Sequence, residues 1–352
     1  MTHSARKDYE ELLEVCVAMI EKRTVFILGA GASCPYGFPT ARGLRKEILS
    51  TFEDRYMRFL GGAGEEVGAQ RRANGYPSTR DAKQFLEHFD LSGTESIDLF
   101  LSRNPRFESI GKMAICLSIL HAEMKSKFRE RVEKPEHDWY FYLYNRLVRE
   151  ATRPEDYSQF GDNPVSFVTF NYDRSLEYYL SNCLLHSFED MDRQKVGDEL
   201  GRKPIIHVYG RPALPKSAES GQVQILPYGK EIAEKLPSID LLSVIGSIHV
   251  VHEERANPEL EKARAEISAA DRIFFLGFAY ADENMEALGL PDVLNPKQYI
   301  YGTALGFVQK EINLVRDKLG HALGHSEREK PNRSRQVQMH ACDCVALLRE
   351  FL

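Results

Sequence analysis

The stretch Phe26–Leu44, FILGAGASCPYGFPTARGL, decides how this 352-residue chain is read. It starts inside TVFIL (24–28), a β-branched and aromatic run that predicts a strand buried on both faces. Gly29-Ala30-Gly31 and a small hydroxyl, Ser33, come next. Glycines at such a turn let backbone N–H groups approach a pyrophosphate, and the start of a following helix adds its positive dipole end. From Thr40 onward Leu44, Ile48, Phe52, Tyr56 and Leu60 recur every four residues, which gives a helix with one apolar face. Strand, glycine turn and helix is the arrangement a phosphate site needs. A plain tight turn is the competing reading, because Cys34 stands where the dinucleotide fingerprint has its third glycine. No second strand with a terminal acidic residue follows at the expected distance, which disfavours an ordinary hydride-transfer dehydrogenase.

Outward from this turn, residues 61–93 are polar and without clear periodicity, and read as loop with short helical pieces. ESIDLFLSRN (95–104) opens a helix with Ser96 as a possible cap, and the segments 110–132 and 137–152 carry helical apolar spacing. Residues 50–160 therefore read as a mainly helical insertion within a single α/β domain spanning 1–352. Strand and helix alternate again afterwards. Strands are expected at Val165–Phe170, in KPIIHVYG (203–210), RIFFL (272–276), KQYIYGT (297–303) and QVQMHA (336–341), with a short helix at the end. That order predicts a Rossmann-like, mostly parallel sheet with helices on both faces and a helical insertion.

A 43% hydrophobic and 28% charged composition suits a packed core with a solvated surface, and a net charge of -6 leaves no chain-wide basic field for nucleic acid. Residues 1–24 read as an amphipathic helix with Leu12, Leu13, Cys16, Met19 and Ile20 on one side; Glu14 breaks the apolar run, which is no signal peptide. No apolar run approaches membrane-spanning length, so a cytoplasmic protein is expected. The six cysteines, at 16, 34, 116, 183, 342 and 344, include no C-x-x-C pair, so a reduced, metal-free protein is expected, with Cys342 and Cys344 as small buried residues.

Ligands of open α/β sheets bind outside the carboxyl ends of the strands. Here those ends carry Gly29-Ala30-Gly31, Asn171 with Asp173, Tyr209-Gly210, Gly277, and Gly302-Thr303. Asp173 is expected to cap the helix at 174–187, whereas the uncharged amide of Asn171 suits ribose hydroxyls or a water. Asp282, Glu283 and Asn284 open the helix after Gly277, where capping is the default reading, and Trp139, Tyr178 and Tyr179 read as core.

The conjunction of Gly29-Ala30-Gly31-Ala32-Ser33, Gly37-Phe38-Pro39, Thr169-Phe170-Asn171-Tyr172-Asp173, His207-Val208-Tyr209-Gly210 and Gly277-Phe278-Ala279 resembles the sirtuin-like NAD-binding family in order and spacing. The two zinc-holding C-x-x-C pairs of sirtuin deacylases are missing, and PTARGL replaces the arginine-bearing loop. The chain looks more like the bacterial antiphage branch, whose domains hydrolyse NAD to nicotinamide and ADP-ribose. The resemblance implies that Gly29, Ala30, Gly31 and Ser33 cradle the pyrophosphate, Pro39 lines the site, and Gly277 and Thr303 line the adenosine side. It also implies that Asn171 holds the water or ribose hydroxyls and that Asp173 orients its turn. The family places histidine directly before the glycine, where Tyr209 stands here. His207, about 7 Å upstream along a strand, is then either a displaced general base or a structural residue with Tyr209 filling the pocket. NAD is implied as substrate with no metal. Control through a homo-oligomer, a ring-forming ATPase or a phage-sensing partner is implied too, since unchecked NAD hydrolysis would poison the cell. A non-catalytic NAD or ADP-ribose sensor is the alternative.

Overall fold

The computed structural model describes residues 20–61, 69–71, 73–126, 137–213, 226–229, 239–250, 257–322 and 336–352. Most of the expected N-terminal helix, including Cys16, and the polar segment 324–335 lie outside them. Six strands form one parallel sheet: β1 (Thr24–Leu28), β2 (Val165–Thr169), β3 (Ile205–His207), β4 (Arg272–Leu276), β5 (Tyr299–Thr303) and β6 (Val337–His340), in the spatial order β3-β2-β1-β4-β5-β6. Every expected strand is present. The third is shorter than KPIIHVYG suggested, because the chain turns after His207 and Gly210 bridges to Ile248.

Alternation along the strands sends side chains to two cores, as period-2 geometry requires. Val25, Ile27, Ile273 and Phe275 face one, and Phe26, Leu28, Phe274 and Leu276 face the other. All five residues of β1 are buried, as expected of a strand covered on both sides.

Between β1 and β2 run α1 (Ala30–Ser33), α2 (Ala41–Gly61), α3 (Thr79–Leu91), α4 (Ile97–Arg103), α5 (Glu108–Lys125) and α6 (Trp139–Leu147). Later helices include α7 (Ser175–Ser187), α8 (Arg193–Gly201), α9 (Pro258–Ala269), α10 (Asp282–Ala287), α11 (Gln309–Ala322) and α12 (Cys344–Phe351). The first core takes residues of α2 to α5 and α9 to α11; the second takes residues of α6, α7, α8 and α12. The helical block is thus divided between the faces. Leu44, Ile48, Phe52, Tyr56 and Leu60 form the buried stripe of α2.

Helix α3, 13 residues long, is more regular than the loop with short helical pieces expected over 61–93. Ser78 accepts from the Asp81 amide while the Asp81 carboxylate accepts from the Ser78 amide, a reciprocal cap, and Ala82, Phe85 and Phe89 give the buried face. Its signature was present in the sequence, but masked by the polar residues around it.

Candidate functional site

The chain passes from β1 to β2 on one side of β1 and crosses back from β3 to β4 on the other, which opens a crevice at the carboxyl ends of β1 and β4. Register brings the informative residues together there: Leu28 lies opposite Thr169 in β2 and Leu276 in β4. A cavity of about 920 Å³ occupies the crevice. That volume falls within the roughly 300–1,000 Å³ common for small-molecule sites.

Gly29, Ala30, Gly31, Pro39, Asn171, Asp173, Tyr209, Gly277 and Thr303 line the cavity, whereas Ser33, His207 and Gly210 do not. Two of the glycines make protein contacts of their own. The Gly29 N–H donates to the Leu276 carbonyl and the Gly31 N–H to the Gly277 carbonyl, each at 3.0 Å. A Cβ on Gly31 would stand 2.9 Å from the Gly277 backbone, so this turn needs glycine for strand-end packing whether or not a phosphate binds. Pro39, Thr40, Ala41 and Arg42, around the start of the 21-residue helix α2, supply the other part of this wall.

Asn171 is 8% exposed. Its side-chain amide donates to the Gly29 carbonyl (3.0 Å) and the Ser33 hydroxyl (2.9 Å), and its Oδ1 finds no donor among the described residues. Ser33 therefore acts from behind the turn. Asp173 is buried and accepts from the Ser175 amide at 3.1 Å and from the Ser175 hydroxyl, which fixes the start of α7 in the capping role expected of it. Burial raises the pKa of the Asp173 carboxyl, opposed by these bonds.

His207 does not lie along a continuous strand with Tyr209. The strand ends at His207, so alternation does not carry through to position 209. One ring nitrogen of His207 lies 3.0 Å from the Asn171 carbonyl and the other 2.7 Å from Glu177, which also pairs with Arg211. The imidazole thus braces the Asn171 backbone from outside the cavity. Burial would raise the Glu177 pKa, but His207 and Arg211 more than offset it and hold the carboxyl at about 2. Tyr209 faces the cavity instead, donating to Asn284 at 2.8 Å.

The acids after Gly277 do not cap α10 with a side-chain bond; Asp282 pairs with Lys318 at 2.7 Å, while Glu283 and Asn284 line the cavity. Trp139 is core, as expected, and donates to the Ala32 carbonyl at 2.8 Å, whereas Tyr178 and Tyr179 are only half-buried. Sequence reasoning missed five further contributors. Asp98 enters from α4, Leu99 follows it, and Cys34, Cys342 and Cys344 line the cavity near α12. Burial raises the pKa of all three thiols, which keeps them protonated. Among the described residues no group of His, Cys, Asp or Glu is arranged to hold a metal, and no helix is long and apolar enough to cross a membrane.

No protein-family model matches the chain, and no curated protein does. Among solved structures, one resembling it is a Sir2 protein in complex with an inhibitor, 2'-O-acetyl-ADP-ribose and a deacetylated peptide. The two share 15% identity over 98% of this chain and 96% of that one, at a TM-score of 0.38. Identity and score are both too low for the likeness to carry anything about activity.

Proposed function

We propose that this chain is an NAD glycohydrolase, cleaving NAD to nicotinamide and ADP-ribose in the switch-point cavity. The observation that carries this reading is Asn171: a buried amide at the end of β2, lining the cavity, held by Gly29 and Ser33 and left with an unpartnered Oδ1. An acceptor so placed suits a ribose hydroxyl or the attacking water. The bond from ribose C1' to the nicotinamide nitrogen breaks with its electron pair going to the ring, so a cationic pyridinium leaves as neutral nicotinamide. Water adds to C1' and sheds a proton to solvent. The protein's work is to hold the ribose, exclude bulk water and position that one water.

Asp173 orients the turn through Ser175, and His207 supports the Asn171 carbonyl as a positioning residue rather than a base. Gly29, Ala30, Gly31 and Pro39 supply the wall for the pyrophosphate, with the start of α2 as its favourable dipole end. Gly277 and Thr303 face the adenosine. The sequence pattern without zinc-binding cysteine pairs supports an antiphage effector, held in check by homo-oligomer assembly, a ring-forming ATPase or a phage-sensing partner.

A second reading, a sensor that binds NAD or ADP-ribose without cleaving it, is favoured by the withdrawal of His207 from the cavity. Nicotinamide release by the full chain and by Asn171→Ala separates the two. Hydrolysis predicts a fall of about 10²-fold or more in the variant. Equal rates would remove Asn171 from the chemistry, and a parent that binds ADP-ribose yet releases no nicotinamide would favour the sensor.

A further inference from the structure

One wall of the cavity is aromatic. Phe170 contacts Tyr209 edge-on with ring centres 5.4 Å apart, Tyr172 lies 6.4 Å from Tyr209, and Phe278 lies 5.3 Å from Phe170; all four line the cavity. Against this wall stands Asp98, carried by the first turn of α4. Its carboxylate accepts from the Tyr172 hydroxyl, which also lies 3.1 Å from the His249 carbonyl, and the Ser96 hydroxyl is 3.4 Å away. No lysine, arginine or histidine among the described residues forms an ion pair with it. Among the other carboxylates near the crevice, Glu283 also lines the cavity without an ion pair among the described residues, whereas three are paired. Glu123 pairs with Arg174, Glu177 with His207 and Arg211, and Asp343 with His137. Asp173, also without a cation, is turned onto Ser175.

An anion without a counter-ion beside clustered aromatic rings is costly in the free protein and is relieved by a flat cation. Ring quadrupoles and the carboxylate attract the same charge. We infer that Asp98, with Tyr172, Tyr209 and Phe170, forms a charge-selective subsite that takes the pyridinium ring of an oxidised nicotinamide nucleotide and discriminates against the neutral dihydropyridine of the reduced form. The inference rests on the NAD reading and adds to it a specificity-determining residue from the helical block. Burial raises the Asp98 pKa, the direction expected of a carboxyl that lacks a cation in the free protein.

The test compares binding of three nucleotides to the full chain by calorimetry: a carbocyclic NAD analogue, which keeps the pyridinium but has no hydrolysable glycosidic bond, NADH, and ADP-ribose. The parent should bind the cationic analogue at least about tenfold more tightly than NADH, a modest share of what one nearby charge supplies. Asp98→Asn, which keeps the shape and can still pair with Tyr172, should bring that ratio to within about threefold of one and leave ADP-ribose affinity within about twofold. A merely structural role would lower all three affinities together and keep the ratio. A parent ratio near one, or an unchanged ratio in Asp98→Asn, overturns the subsite while the nucleotide reading survives. Failure of the parent to bind any of the three overturns both. Tyr172→Phe gives an independent check should Asp98→Asn misfold: loss of the hydroxyl that aims the carboxylate should reduce the ratio in the same direction, and an undiminished ratio would count against the subsite.

Discussion

Asn171 and His207 divide one task between a side chain and a backbone. The Asn171 side-chain amide donates to the Gly29 carbonyl beside the cavity, and its backbone carbonyl meets the His207 ring. Behind His207 the Glu177 carboxylate is 19% exposed and continues a chain that ends on the partly exposed Arg211. This chain has a pH signature. Glu177 sits at about 2 in the folded protein against an ordinary value of 4.5. Its folded pKa is lowered, so its contribution is fully present above about pH 4.5 and is lost as pH falls towards 2. The shift corresponds to about 3 kcal/mol at most. Urea unfolding of the parent and of Glu177→Gln should show a stability gap that is largest near neutral pH and narrows through that window. Parallel curves would mean that the carboxylate's charge is not what stabilises the chain. None of this was visible in the sequence, where Glu177 is one acid on a helix and His207 one polar residue at the end of an apolar strand.

At the scale of elements, the turn after β1 and the turn after β4 interlock. Gly277 has φ +56, and a Cβ there would press on the backbone of Gly31 and Ala32. Gly37, at φ +92, has nothing within 4 Å of such a Cβ. Gly277→Ala should therefore cost about 3 kcal/mol or more, combining steric overlap and backbone strain. Gly37→Ala should cost only about 1–2 kcal/mol, the price of the left-handed conformation alone. Denaturant midpoints of the two variants make the comparison, and similar losses would show that close packing adds nothing at Gly277. The strand-turn-helix pattern was legible because burial and helical periodicity are local. That the glycines serve contact between two turns was not legible, since positions 31 and 277 meet only across neighbouring parallel strands.

For the whole molecule, both cores include residues from the segments between β1 and β2 as well as from the sheet. We expect the sheet and the helical block to unfold as one unit, with a single calorimetric transition. ADP-ribose at about 100 times its dissociation constant should stabilise it by about 2.7 kcal/mol, moving the whole transition. Two resolved transitions, with only one responding to ADP-ribose, would instead make the helical block a unit of its own.

Read alone, the sequence determined what depends on near neighbours along the chain: six strands from apolar runs, most helices from four-residue spacing, and the turns at Gly29, Asn171, Tyr209, Gly277 and Thr303 as the places to look. Tertiary structure decided what depends on register and on which core a helix joins. It moved His207 out of the cavity lining because a three-residue strand ends there, brought Asp98 into the cavity from a helix more than sixty positions away from Asn171 in sequence, and left Tyr209 lining that cavity. Distance along the chain carries no information about such contacts, because parallel strands are joined only through long crossovers.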